Sequence, residues 1–189
     1  MSKISSWAWP FRDPDQPFVT DKNLALMSYL NDPSSNSELR LQAVRGYYEL
    51  EMYDDAWGEL KEVEKSFPVT PSILQMKILL LFKDQKWDEA YGLSEELQRM
   101  EPQSGAGFIQ GAYCLHEMNR TDEALALLEE APESVRKDAI YFYNKGCYQA
   151  VIGDVDTAFD CLRKSFELDR SLLDVARKDP DLVALKDSF

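Results

Sequence analysis

A period of 34 residues runs through the middle of this chain and constrains its fold more than any other feature. The stretches YDDAW, WDEAY, TDEAL and VDTAF begin at positions 53, 87, 121 and 155. Each stretch has an aspartate in its second position and an alanine in its fourth. A fixed period of this length predicts stacked copies of one supersecondary unit.

Each of these stretches predicts the start of a helix. Aspartate is a favourable N-cap because its carboxylate accepts hydrogen bonds from free N–H groups of the first turn. In three of the copies a second acidic residue follows, where the helix dipole favours negative charge. The alanine keeps one face of the helix thin, so that a neighbouring helix can approach. The predicted N-caps are Asp54, Asp88, Asp122 and Asp156, and the alanines are Ala56, Ala90, Ala124 and Ala158.

The segment before each of these helix starts also has helical spacing. The four segments are residues 37–52, 71–86, 106–120 and 139–154. Pro71 stands at the start of the second segment, where a helix tolerates proline, and Pro68 and Pro102 separate repeats because proline cannot continue a helix. We therefore predict an all-α chain of four helix–turn–helix repeats, at residues 37–70, 71–104, 105–138 and 139–170.

This pattern resembles the tetratricopeptide repeat, a 34-residue helix–turn–helix unit with alanine early in its second helix and proline at its end. The resemblance covers residues 37–170 and implies an α-α superhelix of antiparallel helix pairs. Some positions depart from the family pattern. Val44 and Ile78 are bulky where the first helix has a small residue, and Arg136 and Arg170 replace the terminal proline in the last two repeats.

Two segments flank the repeats. Residues 20–36 predict an N-terminal packing helix and loop, with Leu24, Met27 and Leu30 on one side of the helix. Residues 171–189 predict C-terminal capping helices, because a repeat stack exposes an apolar face at each end. This ending resembles the tails that follow the last repeat in bacterial members of the family.

Composition disfavours several classes of partner. The chain of 189 residues has 21 basic and 34 acidic residues, a net charge of -13, which disfavours nucleic acid and anionic membrane surfaces. No apolar run approaches the roughly 20 residues that a membrane-spanning helix needs. Cys114, Cys147 and Cys161 form no CxxC pair, which favours reduced, buried thiols and a cytoplasmic protein.

The sequence does not favour enzyme chemistry, a cofactor or a metal. A Ser/His/Asp or Cys/His site would have to use His116, the single histidine. No second histidine is present to form a helical metal pair, and the cysteines lack zinc-site spacing. The stretch SGAGFIQG at 104–111 lacks the Lys-Ser/Thr ending and the preceding strand of a phosphate loop. We interpret Gly111 instead as part of a close-packed helix face.

The resemblance implies that the first helices of the repeats line a concave surface that binds protein segments. The surface expected here is apolar and aromatic, and it suits an amphipathic helix or an extended peptide. The lysines and asparagines by which some members grip the C-terminal carboxylate of heat-shock chaperones are absent from it. The expected groove residues are Leu41, Arg45, Tyr48, Gln75, Leu79, Phe82, Ile109, Tyr113, His116, Ile140, Tyr143 and Cys147.

These expectations favour a non-enzymatic protein–protein interaction module or scaffold whose partner is a protein or peptide. Two alternatives stay open. One is a small acidic secretion-type chaperone that shields apolar segments of a client, and the other is a regulatory or assembly subunit of an enzyme complex. Acidity and an apolar groove agree with the chaperone, whereas four repeats and a capped C-terminus do not.

The N-terminal segment, residues 1–19, is rich in proline and aromatic residues. Trp7, Trp9, Phe11 and Phe18 are typical binding anchors, and the prolines between them favour an extended backbone. Three hypotheses remain open for this segment. It packs against the first helix pair, it docks on apolar repeat surface of its own chain or of a neighbour to give a homodimer, or it is held out for another partner.

Overall fold

The structure, a computed structural model, describes the backbone of residues 33–188 and the side chains of residues 37–185. Every regular element in this part of the chain is a helix, which confirms the predicted all-α fold. The described residues divide into two compact units, an N-terminal unit at residues 33–84 and a C-terminal unit at residues 85–188. The predictions for residues 1–32 lie outside the described residues.

The N-terminal unit contains three helices, α1 (Pro33–Glu49), α2 (Tyr53–Ser66) and α3 (Pro71–Lys83). Helix α3 begins at its proline as predicted, and the Thr70 hydroxyl caps it by accepting a hydrogen bond from the Ile73 N–H at 3.3 Å. All three helices contact one another around a core that includes Val44, Leu60 and Leu80.

The C-terminal unit continues the same plan with successive packed helices. Each helix from α4 to α8 contacts the next one along the chain, and the second 3₁₀ helix packs on α7. Its elements are α4 (Trp87–Met100), α5 (Ala106–Glu117), α6 (Thr121–Glu129), a 3₁₀ helix (Val135–Lys137), α7 (Ala139–Ile152), α8 (Val155–Leu168), α9 (Leu172–Ala176) and a 3₁₀ helix (Pro180–Ser188).

The predicted close-packed positions are buried. The alanines of the four repeated stretches, Ala56, Ala90, Ala124 and Ala158, have no exposed surface. A Cβ added at Gly111 of α5 would lie 2.7 Å from Ser94 Oγ of α4, so the small residue there permits close helix packing. The interpretation of Gly111 as part of a packed face agrees with this geometry.

The predicted N-caps are wrong by two positions. Helices α2, α4, α6 and α8 begin one residue before the repeated aspartates, which therefore lie inside the first turn. The aspartates sit where the helix dipole favours negative charge. Of the four capping positions, only Asp154 of α8 accepts a side-chain cap bond, from the Thr157 N–H at 3.1 Å.

The turns explain this offset, because a left-handed residue precedes each capping position. Glu51, Gln85 and Asn119 have φ angles of 60°, 55° and 61°, and Gly153 has 98°. In three of these turns the backbone N–H of the capping residue donates a hydrogen bond to the carbonyl of the residue five positions before it. An example is the Met52 N–H, which donates to the Tyr47 carbonyl at 2.9 Å. Such a bond satisfies a free carbonyl at the end of the first helix. The 34-residue period is therefore also a period in backbone geometry.

Candidate functional site

In the N-terminal unit, α1 and α3 are the first helices of two successive repeats, and both present accessible side chains. Residues three or four apart share one side of a helix, so Arg45 and Tyr48 lie together on α1, and Gln75 and Leu79 lie together on α3. Arg45 is exposed, and the other three are half-buried. We call these four residues the N-terminal face. Their expected companions Leu41 and Phe82 are buried, with 8% and 7% of their surface exposed.

A cluster of one lysine and two tyrosines joins the two helices at this face. The Lys83 amine of α3 lies 5.5 Å from the ring centroids of both Tyr48 and Tyr53. The two rings meet edge to face at 5.7 Å. A cation over an aromatic face is an attractive contact, and it places the α1 and α3 parts of the face side by side. Burial, followed by the neighbouring Tyr53, raises the pKa of Tyr48 to about 12, so its hydroxyl stays protonated.

The corresponding positions of the C-terminal unit are buried, except for His116, which is half-buried. Tyr143 has no exposed surface and Cys147 has 2%, so neither is accessible in this structure. Tyr113 is buried as well, and its ring meets Trp87 edge to face at 5.7 Å. We call this set the C-terminal face; its members are Ile109, Tyr113, His116, Ile140, Tyr143 and Cys147.

The C-terminal tail, residues 177–188, covers part of this face. The 3₁₀ helix of the tail, Pro180–Ser188, packs on α7. Leu182 and Leu185 belong to the same hydrophobic core as Tyr143 and Cys147. The tail therefore lies where the repeat pattern predicts ligand-binding positions.

A buried aspartate fixes the tail to α7. The Asp179 side chain accepts a hydrogen bond from the Tyr143 hydroxyl at 2.7 Å and from the backbone N–H of Asp181 at 2.9 Å. The Cys147 thiol lies 3.7 Å from the same carboxylate. Burial raises the pKa of Asp179, and the hydrogen bonds oppose this rise without cancelling it. Burial also raises the pKa of Cys147, which keeps its thiol protonated.

His116 is held between the tail and the neighbouring helix α6. Its Nε2 lies 2.9 Å from Asp181 Oδ2, and its Nδ1 lies 3.1 Å from Thr121 Oγ1. Its ring also stacks on Tyr148, with the centroids 4.8 Å apart. Both ring nitrogens are therefore engaged within the fold, which does not suit a general base.

The part of the chain that the structure describes contains no group of histidine, cysteine or acidic residues arranged to hold a metal ion. None of its helices has the length and apolar character that a membrane crossing requires.

Comparison with known proteins gives the same fold. Residues 81–144 match the model of the tetratricopeptide repeat (TPR) family. A thermophilic TPR protein of Thermus thermophilus superposes with a TM-score of 0.70 at 17% identity, over 79% of this chain and 82% of that one. Residues 81–144 therefore match the TPR family, and the fold of the described residues is that of a TPR solenoid.

Other TPR structures are similar as well. MamA from Desulfovibrio magneticus RS-1, residues 41 to the end, has a TM-score of 0.61 at 16% identity, over 80% of this chain and 85% of that one. YrrB, described as a TPR protein with an unusual peptide-binding site, has a TM-score of 0.56 at 19% identity, over 77% and 82%. At these identities the likeness shows the fold. The comparison with curated proteins gave no match.

The repeat pattern indicated where first-helix residues would lie but missed Asp179 and Asp181. The sequence offered one signal for them, the Asp179-Pro180 break, which predicted only the start of a capping helix. The predicted binding segment with Trp7, Trp9, Phe11 and Phe18 lies outside the described residues.

Proposed function

We propose that this protein is a non-enzymatic interaction module that binds a peptide or helix of a protein partner on its N-terminal face. The observation that carries the proposal is the contrast between the two faces. Arg45 is exposed and Tyr48 and Leu79 are half-buried, whereas Tyr143 and Cys147 at the C-terminal face are inaccessible. TPR proteins are generally non-catalytic interaction modules, and YrrB is described as having a peptide-binding site.

The side chains of the N-terminal face favour a ligand of particular chemistry. Tyr48 and Leu79 offer apolar contact, and Gln75 offers an amide that can bond an extended backbone. Arg45 has no ion pair with any residue that the structure describes, and the Lys83 amine adds a second positive charge beside Tyr48. We therefore expect a segment that carries an apolar or aromatic anchor next to an acidic residue.

We also propose that the protein is cytoplasmic, and two further observations support this and the non-enzymatic role. The single histidine uses both ring nitrogens within the fold. The three cysteines are free and buried, as suits a reducing compartment.

A random peptide library selected on the full-length chain tests the proposal. We expect the enriched peptides to share an apolar anchor and an acidic residue. We expect Leu79→Asp and Arg45→Glu to weaken them about tenfold or more, since buried anchors and arginines dominate such interfaces. Fluorescence anisotropy of a labelled peptide measures the change.

The matched control is Lys61→Glu, which makes the same charge change at an exposed position of α2 in the same unit. We expect it to bind like the wild type. A library without enriched peptides, or peptides equally affected by Arg45→Glu and Lys61→Glu, would contradict binding at the N-terminal face.

A further inference from the structure

The C-terminal tail contacts the C-terminal face through two acidic residues with one residue between them. The Asp179 carboxylate accepts a hydrogen bond from the Tyr143 hydroxyl at 2.7 Å, and Asp181 Oδ2 lies 2.9 Å from His116 Nε2. Leu182 follows directly and is fully buried. The tail therefore presents two carboxylates and an apolar anchor to this face, in the sequence Asp-Pro-Asp-Leu.

These contacts fall on positions that the repeat pattern predicts for ligand binding. In the 34-residue period, Tyr143 corresponds to Gln75 of the N-terminal face, two repeats earlier. His116 corresponds in the same way to Tyr48. Gln75 and Tyr48 are half-buried and accessible in their own unit. The tail thus occupies the positions of the C-terminal unit that are equivalent to accessible positions of the N-terminal unit.

The polar part of the contact is costly for a segment that only caps the fold. Asp179 is buried and has no ion pair with a lysine or arginine among the described residues. Burying a carboxylate without a paired cation costs free energy, and apolar side chains often stabilise such a place better. The contact is therefore better suited to selecting a segment by its chemistry than to stabilising the fold.

Side chains hold the tail in place. Its backbone hydrogen bonds are local, as from the Asp179 N–H to the Ala176 carbonyl at 3.2 Å and from the Leu182 N–H to the Asp179 carbonyl at 3.3 Å. Among the described residues, no backbone hydrogen bond joins the tail to α7. Segments held by few contacts open at a lower free energy than global unfolding requires. The tail can therefore leave the face while the helices stay packed.

We propose that the C-terminal tail is an intramolecular ligand of the C-terminal face, and that a protein segment of the same chemistry displaces it. This segment carries two acidic residues one residue apart, followed by leucine. Tyr143 and His116 bind the two carboxylates, and the hydrophobic core around Tyr143 receives the leucine. The inference does not rest on the proposed function, because it concerns the other face.

The covalent attachment of the tail makes this competition unequal. A tail on a short link has an effective concentration on the order of millimolar at its own site. A free segment at micromolar concentration therefore binds well only when it makes further contacts or when the tail is weakened. This difference allows a test with the tail sequence itself as the probe.

Hydrogen exchange of the native full chain tests whether the tail detaches. We expect the backbone amides of residues 181–185 to exchange about tenfold faster than those of α7, or more, because opening of the tail does not require unfolding of the unit. Asp181→Ala should speed exchange in the tail but not in α7. Asp160→Ala makes the same change at an exposed position of α8 and should affect neither. A wild-type tail that exchanges at the same rate as α7 would overturn the proposal.

Fluorescence anisotropy with a labelled peptide of residues 177–188, RKDPDLVALKDS, tests what the face binds. We expect the full-length Asp181→Ala chain to bind the peptide about tenfold more tightly than the wild type, since the apparent Kd falls as the open fraction rises. The Asp160→Ala chain should bind it like the wild type. Tyr143→Phe in the Asp181→Ala chain should weaken binding, as should asparagine in place of the first two aspartates of the peptide.

Circular dichroism checks that each variant is folded. Absence of peptide binding from every folded variant would overturn the proposal. Binding that neither Tyr143→Phe nor the asparagine peptide weakens would also overturn it, because the peptide would then lie elsewhere. A wild-type dimer seen by light scattering and lost in Asp181→Ala would overturn it in favour of tails exchanged between two copies.

Discussion

Asp179 shows how one tail residue can limit a predicted binding surface. The residue is 5% exposed, and its carboxylate accepts a hydrogen bond from the Tyr143 hydroxyl. Burying a carboxylate disfavours its charged form, and the pKa of Asp179 is accordingly raised, chiefly by desolvation. The folded state therefore binds the Asp179 proton more tightly than the unfolded state does.

This difference predicts a pH dependence of stability. Since the folded pKa of Asp179 lies above its unfolded value of 3.8, its contribution is fully present below that value and is lost as the pH rises through the folded pKa. We expect the stability of the wild type relative to Asp179→Asn to fall as the pH rises above 3.8. Urea unfolding at several pH values measures it, and a relative stability that rises over this range would be inconsistent with the account.

The Tyr143 contact can be measured separately by Asp179→Ala. This change removes the hydrogen bond from the Tyr143 hydroxyl to Asp179, and losing such a bond costs about 0.5–1.5 kcal/mol. We expect Asp179→Ala to be less stable than Asp179→Asn, which keeps an acceptor oxygen. Equal stability of the two variants in urea would show that the hydrogen bond contributes nothing.

Gln110 offers a second test at the residue scale. Its side chain is fully buried, and neither its amide nitrogen nor its oxygen has a partner among the described residues. Gln110→Met removes the buried amide with little change of shape, so we expect unfolding to require about 1 kcal/mol more. Gln98→Met is the control and should be destabilising, because Gln98 donates to the Gly107 carbonyl at 3.2 Å. A Gln110→Met protein that melts below the wild type would refute this.

At the scale of the elements, the sequence predicted which segments are helical but not how each second helix is capped. The period located α2, α4, α6 and α8 because alanine and acidic residues recur there. It did not predict that Glu51, Gln85 and Asn119 adopt left-handed backbone, since these residue types do not require it. Gly153 and Asn119 are the residue types typical of such a turn.

Close packing of α7 on α8 predicts opposite effects of alanine at two glycines. A Cβ at Gly146 would lie 2.7 Å from Leu162 Cγ and 3.2 Å from the Ala158 carbonyl oxygen, whereas nothing lies within 4 Å of a Cβ at Gly92. We expect Gly146→Ala to lower the unfolding free energy by about 1–3 kcal/mol. Gly92→Ala should raise it by about 0.5–1 kcal/mol, because alanine favours helix. Calorimetry compares them, and a stabilised Gly146→Ala protein would refute the packing described here.

At the scale of the whole molecule, repeat reasoning predicted the helix pairs and the type of fold. It could not predict which of the expected groove residues are accessible. A residue's position in the repeat indicates the side of the helix on which it lies, but not which other segment packs over it. Tyr143 and Asp179 are 36 residues apart and meet only through tertiary packing. Arg45 is exposed and Leu79 is half-buried in the described part of the N-terminal unit.

The accessibility of two tyrosines tests the central claim, that this protein presents its N-terminal face while its tail covers part of the C-terminal face. Hydroxyl-radical footprinting of the native full chain, read by mass spectrometry, compares Tyr48 with Tyr143 under identical side-chain chemistry. The half-buried Tyr48 should be oxidised and the fully buried Tyr143 protected. Oxidation of Tyr143 as fast as that of Tyr48 would show that the tail leaves the C-terminal face open and would contradict the account.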